Sequence, residues 1–299
     1  MSIFNTIVTS SLNFLPKWFA KPFASPYVAG ESIKDALTQV RSLNNKGFSA
    51  TVDILGEHVL EKKIAKSITL QYCQLYEEIN SQSLDCNISV KPTHIGLSIS
   101  RDEVLSNMMT LLEKAKEYNN FLRIDMEDSS HTDDTFNIFE NCKPIYSNIG
   151  IVIQSYLHRS AEDLKRLANR DFNSRLCKGI YKESPSIAFN DKTEINNNYL
   201  LLARLMIERG SYAGFATHDQ TLIEQILDWV KKENVPKDSF EFQVLFGVPM
   251  DGRLEKLIEK GYKVRVYVPF GPDWFDYSVR RLKENPDIAK YVFLNLLKK

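Results

Sequence analysis

From Ser49 onward the chain repeats one unit eight times: a short run rich in β-branched residues, a polar turn, and an amphipathic stretch of helical period. The strand-like runs are Ser49 to Leu55, Ile88 to Lys91, Phe121 to Met126, Ile149 to Gln154, Arg175 to Lys178, Ala213 to Thr217, Phe240 to Leu245 and Lys263 to Val268. Helical stretches between them include Asp102 to Tyr118, Ser160 to Ala168, Glu194 to Glu208, Gln220 to Lys231 and Asp251 to Glu259. Some carry N-cap candidates, such as Ser160 with Asp163 three residues on, or Asp219 before Gln220. A strand that is followed by a helix returns in parallel, because a parallel neighbour needs a long crossover. Eight such units in about 250 residues match a closed (βα)8 barrel. An open doubly wound sheet would carry a glycine-rich turn after its first strand. Here that turn reads Leu55-Gly56-Glu57-His58, with no GxGxxG. No linker or low-complexity segment divides residues 45–299, so the expected fold is one α/β barrel over those residues, preceded by a helical lead-in over residues 1–44.

Charge narrows the function. The 299 residues hold 38 Lys+Arg against 38 Asp+Glu, a net charge of zero. Such a balance argues against nucleic acid as a partner, since neutralising phosphates requires a basic surplus. Apolar runs are short and interrupted, so no segment reads as membrane-spanning. The four cysteines (Cys73, Cys86, Cys142, Cys177) have no CxxC spacing and suggest neither a disulfide framework nor a metal site; reduced intracellular thiols are expected. Residues 1–23 lack a basic leading segment and are broken by Asn5, Thr6, Thr9, Ser10 and Ser11, which argues against a cleaved signal. Ile3, Phe4, Ile7, Val8, Leu12 and Leu15 recur near helical spacing, with Lys17, Trp18 and Lys21 following. Two readings stand: an amphipathic helix packed on protein, or an interfacial helix against lipid.

A barrel builds its active site at the carboxyl ends of its strands. There the sequence places Lys91, Asp125, Gln154, Lys178, His218, Gln243 and Tyr267. Any one of these has an ordinary structural explanation, as loop lysine, cap acid or core imidazole. Seven at equivalent positions point to a shared polar pocket. Near the carboxyl terminus, Arg280 and Arg281 offer two planar donor forks suited to a carboxylate or phosphate, with Glu284 one helical turn away. A solvated basic helix face accounts for the pair equally well. The stiff apolar loop before it, Pro269-Phe270-Gly271-Pro272-Asp273-Trp274, favours a segment held over something.

Longer strings carry a family resemblance. RLCKGIYKE (175–183), GFATHD (214–219), FEFQVLFG (240–247) and RVYVPFG followed by YSVRRLKEN (265–285) resemble signature segments of proline dehydrogenase. YVAGES (27–32) and TVDILGE (51–57) resemble the entry region of its monofunctional bacterial members. The matches run in order along the whole chain, which is far more specific than a single motif. The resemblance implies a distorted (βα)8 barrel that binds FAD non-covalently, with its last helix above the barrel mouth. It implies oxidation of L-proline to Δ1-pyrroline-5-carboxylate, with hydride passing from C5 of the ring to flavin N5 and electrons on to a membrane quinone. Lys91, Arg280 and Arg281 then match a carboxylate clamp, with Glu284 and Asp125 orienting it. Tyr267 matches the tyrosine on the proline ring, which disfavours 4-hydroxyproline, and Leu245 matches an apolar wall. Arg175, Lys178, Gly179 and Tyr181 match the flavin-binding strand and turn. Gln154 and Gln243 match amides on the isoalloxazine, and Thr217 and His218 contacts to the ribityl and phosphate portion. Ile180, Phe246 and Asp219 depart from the residues usual at their positions. A flavin barrel acting on another secondary amine, such as hydroxyproline, is the neighbouring alternative, and a proline-sensing barrel without activity a third. The resemblance also implies a cytoplasmic protein at the inner face of the cell membrane. Its expected metabolic partner is a separate pyrroline-5-carboxylate dehydrogenase, for which this chain has no room.

Overall fold

The computed structural model describes residues 27–275, 277 and 278. The readings made for residues 1–23, for Arg280, Arg281 and Glu284, and for the placement of the last helix lie outside them.

Eight parallel strands close into one barrel in sequence order. They are β1 Ser49–Ile54, β2 Cys86–Val90, β3 Leu122–Ile124, β4 Ile149–Gln154, β5 Asn173–Cys177, β6 Tyr212–Ala216, β7 Phe240–Leu245 and β8 Val264–Phe270. The closing seam pairs β1 with β8 from Ser49↔Arg265 to Ile54↔Phe270. Helix α1 (Ile33–Asn44) precedes β1 and packs across that seam. Its start is fixed locally: Ser32 Oγ accepts from the Asp35 amide while the Asp35 carboxylate accepts from the Ser32 amide. The crossover helices are α2 Lys62–Ser81, α3 Arg101–Glu117, α4 Thr132–Cys142, α5 Ser160–Leu167, α6 Lys192–Glu208, α7 Gln220–Lys232 and α8 Arg253–Glu259. Asp219 caps α7 as expected, accepting from the Leu222 amide at 3.3 Å. Ser160 does not cap α5. It is the first helical residue and donates its hydroxyl to the Gln154 carbonyl at 2.5 Å, while Arg159 takes the cap position and pairs with Asp163 at 2.7 Å.

Alternation along each strand sorts the side chains into two environments. On β7, Phe240, Phe242 and Val244 face the helices and join the main apolar cluster, while Glu241 and Gln243 face the lumen. On β8 the same split separates Val264, Val266 and Val268 from Arg265 and Tyr267. The lumen is thus filled by polar and charged side chains instead of the branched aliphatics common in such barrels. Each is paired. Glu241 accepts from Arg265 Nε at 2.7 Å, from Gln243 Nε2 at 2.6 Å and from the Tyr212 hydroxyl at 3.1 Å. Burial works to raise the Glu241 carboxyl, but the Arg265 charge, the hydrogen bonds from Arg265 and Gln243 and the Arg123 charge together outweigh it and hold the group below its usual range.

Long side chains in the lumen need empty space, and two glycines supply it. A Cβ on Gly214 would lie 2.4 Å from Gln243 Nε2. A Cβ on Gly150 would lie 2.4 Å from both Arg123 Nη1 and the backbone oxygen of Asn173. Arg123 fills that gap, donating to the carbonyls of Ile151 at 2.8 Å and Asn173 at 2.9 Å. Gly150→Ala is therefore expected to destabilise the fold by about 3 kcal/mol, because one of the clashing atoms belongs to the barrel wall. Urea unfolding measures this, and an unchanged midpoint would contradict it.

Candidate active site

The carboxyl ends of the strands surround a cavity of about 430 Å³. All seven strand-end residues read from the sequence line it, together with Arg175, Gly179, Tyr181, Thr217 and Leu245. The lining also includes Asp53 from β1 and Tyr277, from beyond β8, next to the packed group of Val28, Leu55 and Trp274.

Asp125 organises one wall. It sits just beyond β3, buried, and its Oδ1 accepts from Ser89 Oγ at 2.6 Å and Arg175 Nη1 at 2.6 Å. Its Oδ2 accepts from the Tyr267 hydroxyl at 2.9 Å. Arg175 continues the chain, donating through Nε to Gln243 Oε1 at 2.8 Å. Its guanidinium carbon lies 4.8 Å from the centre of the Tyr267 ring, a cation–π contact that keeps ring and cation face to face. Burial, together with the Asp125 and Asp53 charges, pushes the Tyr267 hydroxyl far above the usual phenol range, so it remains a donor.

Lys91, directly after β2, meets Asp53 with Nζ to Oδ2 at 2.5 Å. The other Asp53 oxygen accepts from the Tyr72 hydroxyl of α2 at 3.1 Å. Burial alone would push the Lys91 ammonium down, but the charges of Asp53 and then Asp125 more than offset it and hold it above the ordinary lysine range. Asp53 was not among the residues picked out from sequence. Its signal was an acid one residue from the carboxyl end of a strand, SATVDI, every residue of which is buried.

The opposite wall comes from β4 to β7. Gln154 closes β4, buried, and donates through Nε2 to the Glu127 carbonyl at 3.2 Å. Its Oε1 is buried without a hydrogen-bond partner among the described residues, on a side chain that lines the cavity. Gly179 follows β5 with φ of +103°, and a Cβ there would fall 2.1 Å from the Tyr156 ring. Only glycine lets this turn lie flat against the cavity. Beside it, Lys178 Nζ binds Asp219 Oδ2 at 2.7 Å. Thr217 donates its amide to the Gln243 carbonyl at 3.2 Å and accepts the Asp219 amide on its hydroxyl at 3.1 Å. The Leu245 amide donates to His218 Nε2 at 2.9 Å, so that nitrogen is unprotonated.

The Lys178–Asp219 pair gives a pH test. Burial opposes ionisation of Asp219, yet the hydrogen bond and charge of Lys178 bring its carboxyl down to about 2. A depressed carboxyl stabilises the fold above the unfolded value, about 3.9, and loses that contribution as pH falls through the folded one. Asp219→Asn is expected to flatten the acid-side loss of stability between about pH 4 and pH 2. Unfolding midpoints across that range check it; parallel profiles for the two proteins would contradict it.

A closed barrel whose mouth combines buried cations, buried carboxylates and an unsatisfied amide acceptor defines an enzyme for a small polar ligand, with room for a ring-shaped cofactor. Comparison with known proteins narrows this. The family model described as proline dehydrogenase matches residues 36–293. Proline dehydrogenase 1 of Bacillus subtilis subsp. natto is 39% identical over 286 residues, covering 94% of each chain. Proline dehydrogenase of Deinococcus radiodurans is 34% identical over 280 residues, covering 92% of this chain and 90% of its own. Among solved structures, proline utilization A (PutA) from Bdellovibrio bacteriovorus, inactivated by N-propargylglycine, superposes with a TM-score of 0.82 at 28% identity. The match covers 88% of this chain and 32% of that one, so this chain spans about a third of its length.

This chain belongs to the proline dehydrogenase family. It is an oxidoreductase of proline catabolism. No helix among the described residues is long and apolar enough to cross a membrane.

Proposed function

We propose that the chain oxidises L-proline to Δ1-pyrroline-5-carboxylate with FAD held in the barrel-mouth cavity. Bound there, FAD would supply a hydride acceptor at N5 for C5 of the ring and a route for the electrons to a membrane quinone. The observation that carries this reading is the unpaired Oε1 of Gln154, a side chain lining the cavity that Arg175, Lys178 and Lys91 also line. A polar heteroaromatic ring would give that oxygen a donor. The residues present fit the group. Arg175 and Lys178 place positive charge where reduced flavin gathers negative charge. Gly179 and Tyr181 form the turn beside it, and Gln243 offers a second amide. Thr217 and His218 stand where the ribityl and phosphate portion would pass.

On the substrate side, Lys91 with Arg280 and Arg281 grips the proline carboxylate, and Glu284 orients the arginines. A fixed carboxylate leaves the far carbon of a small ring with one direction to face. Asp125 holds Tyr267 against that ring, and Leu245 closes the apolar side. Excluding an added hydroxyl this way is worth about 1–3 kcal/mol, enough to prefer proline over hydroxyproline. The product leaves for a separate pyrroline-5-carboxylate dehydrogenase, and quinone reduction brings the protein to the inner face of the membrane.

The visible spectrum of the purified protein tests the reading. A flavin band bleached by anaerobic L-proline is the expected result. A band bleached by another secondary amine and indifferent to proline would move the substrate, and protein that stays colourless with added FAD would overturn the cofactor.

A further inference from the structure

The loop between β5 and α6 begins at the cavity and leaves it by an anchor that the chemistry above does not use. Lys178, Gly179, Ile180 and Tyr181 line the cavity. At the near end, Lys178 is tied to Asp219 at 2.7 Å, and its carbonyl accepts the Tyr156 amide at 2.8 Å. At the far end the chain reaches the β3–α4 loop, where the Glu183 carboxylate straddles Ser129. Oε1 accepts from the Ser129 amide and Oε2 from its hydroxyl, each at 2.7 Å. Ser129 lies four residues beyond Asp125 and opens the short helical turn Ser129–His131 that leads into α4. A carboxylate at the first amides of such a turn is favoured, because these donors have no partner in the helix. Past Glu183 the loop is fastened to the β4–α5 connection instead, through His158 N to Ile187 O at 3.0 Å and Phe189 N to Tyr156 O at 2.8 Å.

We infer that Glu183 is a positioning residue for the cofactor side of the pocket. Its two-oxygen grip on Ser129 draws residues 179–182 across the barrel mouth as a strap, joining the loop that carries Lys178 to the loop that follows Asp125. This rests on the proposed FAD site for its functional meaning, but the strap itself is tested without cofactor. Glu183→Ala removes both hydrogen bonds. Glu183→Gln keeps both places filled, since its oxygen accepts the amide and its NH2 donates to the hydroxyl oxygen.

The test uses the full chain, with and without FAD. In the apo form, cleavage by trypsin after Lys182 and by chymotrypsin after Tyr181 is expected to speed up about tenfold or more in Glu183→Ala, near wild type in Glu183→Gln. In the loaded form, FAD release after dilution, followed by flavin fluorescence, is expected to accelerate by a similar factor in Glu183→Ala only. Both changes should come with a fall in the apo unfolding midpoint no larger than that factor accounts for, and with cleavage elsewhere in the chain unchanged. Wild-type cleavage and release rates in Glu183→Ala would overturn the inference. So would a lowered midpoint with faster cleavage throughout the chain, which would make Glu183 an ordinary fold contact. If wild type takes up no FAD, the cofactor reading fails while the cleavage arm still decides the strap.

Discussion

Asp125→Ala is expected to abolish measurable turnover and lower stability by about 3–5 kcal/mol, the usual result of leaving a buried cation without its counter-charge. Three donors converge on this carboxylate: Ser89 Oγ, Arg175 Nη1 and the Tyr267 hydroxyl. Arg175 is the costly one, because its side chain is only 9% exposed and water reaches it poorly. Tyr267 would lose the bond that fixes its ring over the cavity, so substrate positioning should fail even in molecules that remain folded. Asp125→Asn separates the two effects. An amide still accepts from one neighbour, yet it brings no negative charge and points NH2 toward another donor. Turnover should remain lost while part of the stability returns. Thermal unfolding with steady-state turnover measures both, and an Asp125→Ala protein as stable and active as wild type would remove the role assigned here.

Asp53→Ala is expected to be the next most severe change. It strips Lys91 of a partner at 2.5 Å and the Tyr72 hydroxyl of the nearer of its two acceptors, at 3.1 Å, both in buried surroundings. The sign of the pH effect follows from the wild-type lysine, which is held above its usual range. A raised basic group stabilises the fold below its unfolded value, about 10.4, and loses that contribution as pH rises through the folded one. With Asp53 gone, burial acts on the ammonium with only the Asp125 and Glu127 charges to counter it, so Lys91 loses its proton at lower pH. If Lys91 clamps the proline carboxylate, the KM for proline in Asp53→Ala should climb with pH over a range where wild type is flat. Equal pH profiles for KM would show that Asp53 does not govern the clamp. Asp53→Asn, which still offers an oxygen to the ammonium, should show a smaller rise.

Most of the barrel was legible because its strands have two contrasting faces with apolar residues toward the helices. β4 and β7 begin and end where the periodicity places them, since apolar alternation and hydrogen-bonded ladder stop together. β8 runs past its expected end at Val268 to Phe270, because β1 supplies ladder partners out to Ile54↔Phe270. β3 keeps three of its six expected residues, for its register with β2 and β4 covers only Leu122 to Ile124. Helices α2 and α4, absent from the stretches picked out by periodicity, bury Thr69, Tyr72 and Tyr76, or Thr132 and Thr135, on the faces that ought to look apolar. The cavity lining was visible as polar strand ends. Asp53 and the Ser129–Glu183 contact were not, because each depends on a partner more than thirty residues away that no local pattern reveals.

The polar lumen joins the two ends of the barrel. From Arg265 near the amino ends of the strands, hydrogen bonds pass through Glu241, Gln243 and Arg175 to Asp125 and Tyr267 at the mouth. An aliphatic plug would absorb a lost methyl group where it was lost. A bonded file of charges hands the loss along, since every member is oriented by the one before it. Sequence change near the amino ends of the strands is therefore expected to reach Asp125 and Tyr267 at the mouth, and drift among relatives at these inner positions should come as compensated sets instead of single replacements.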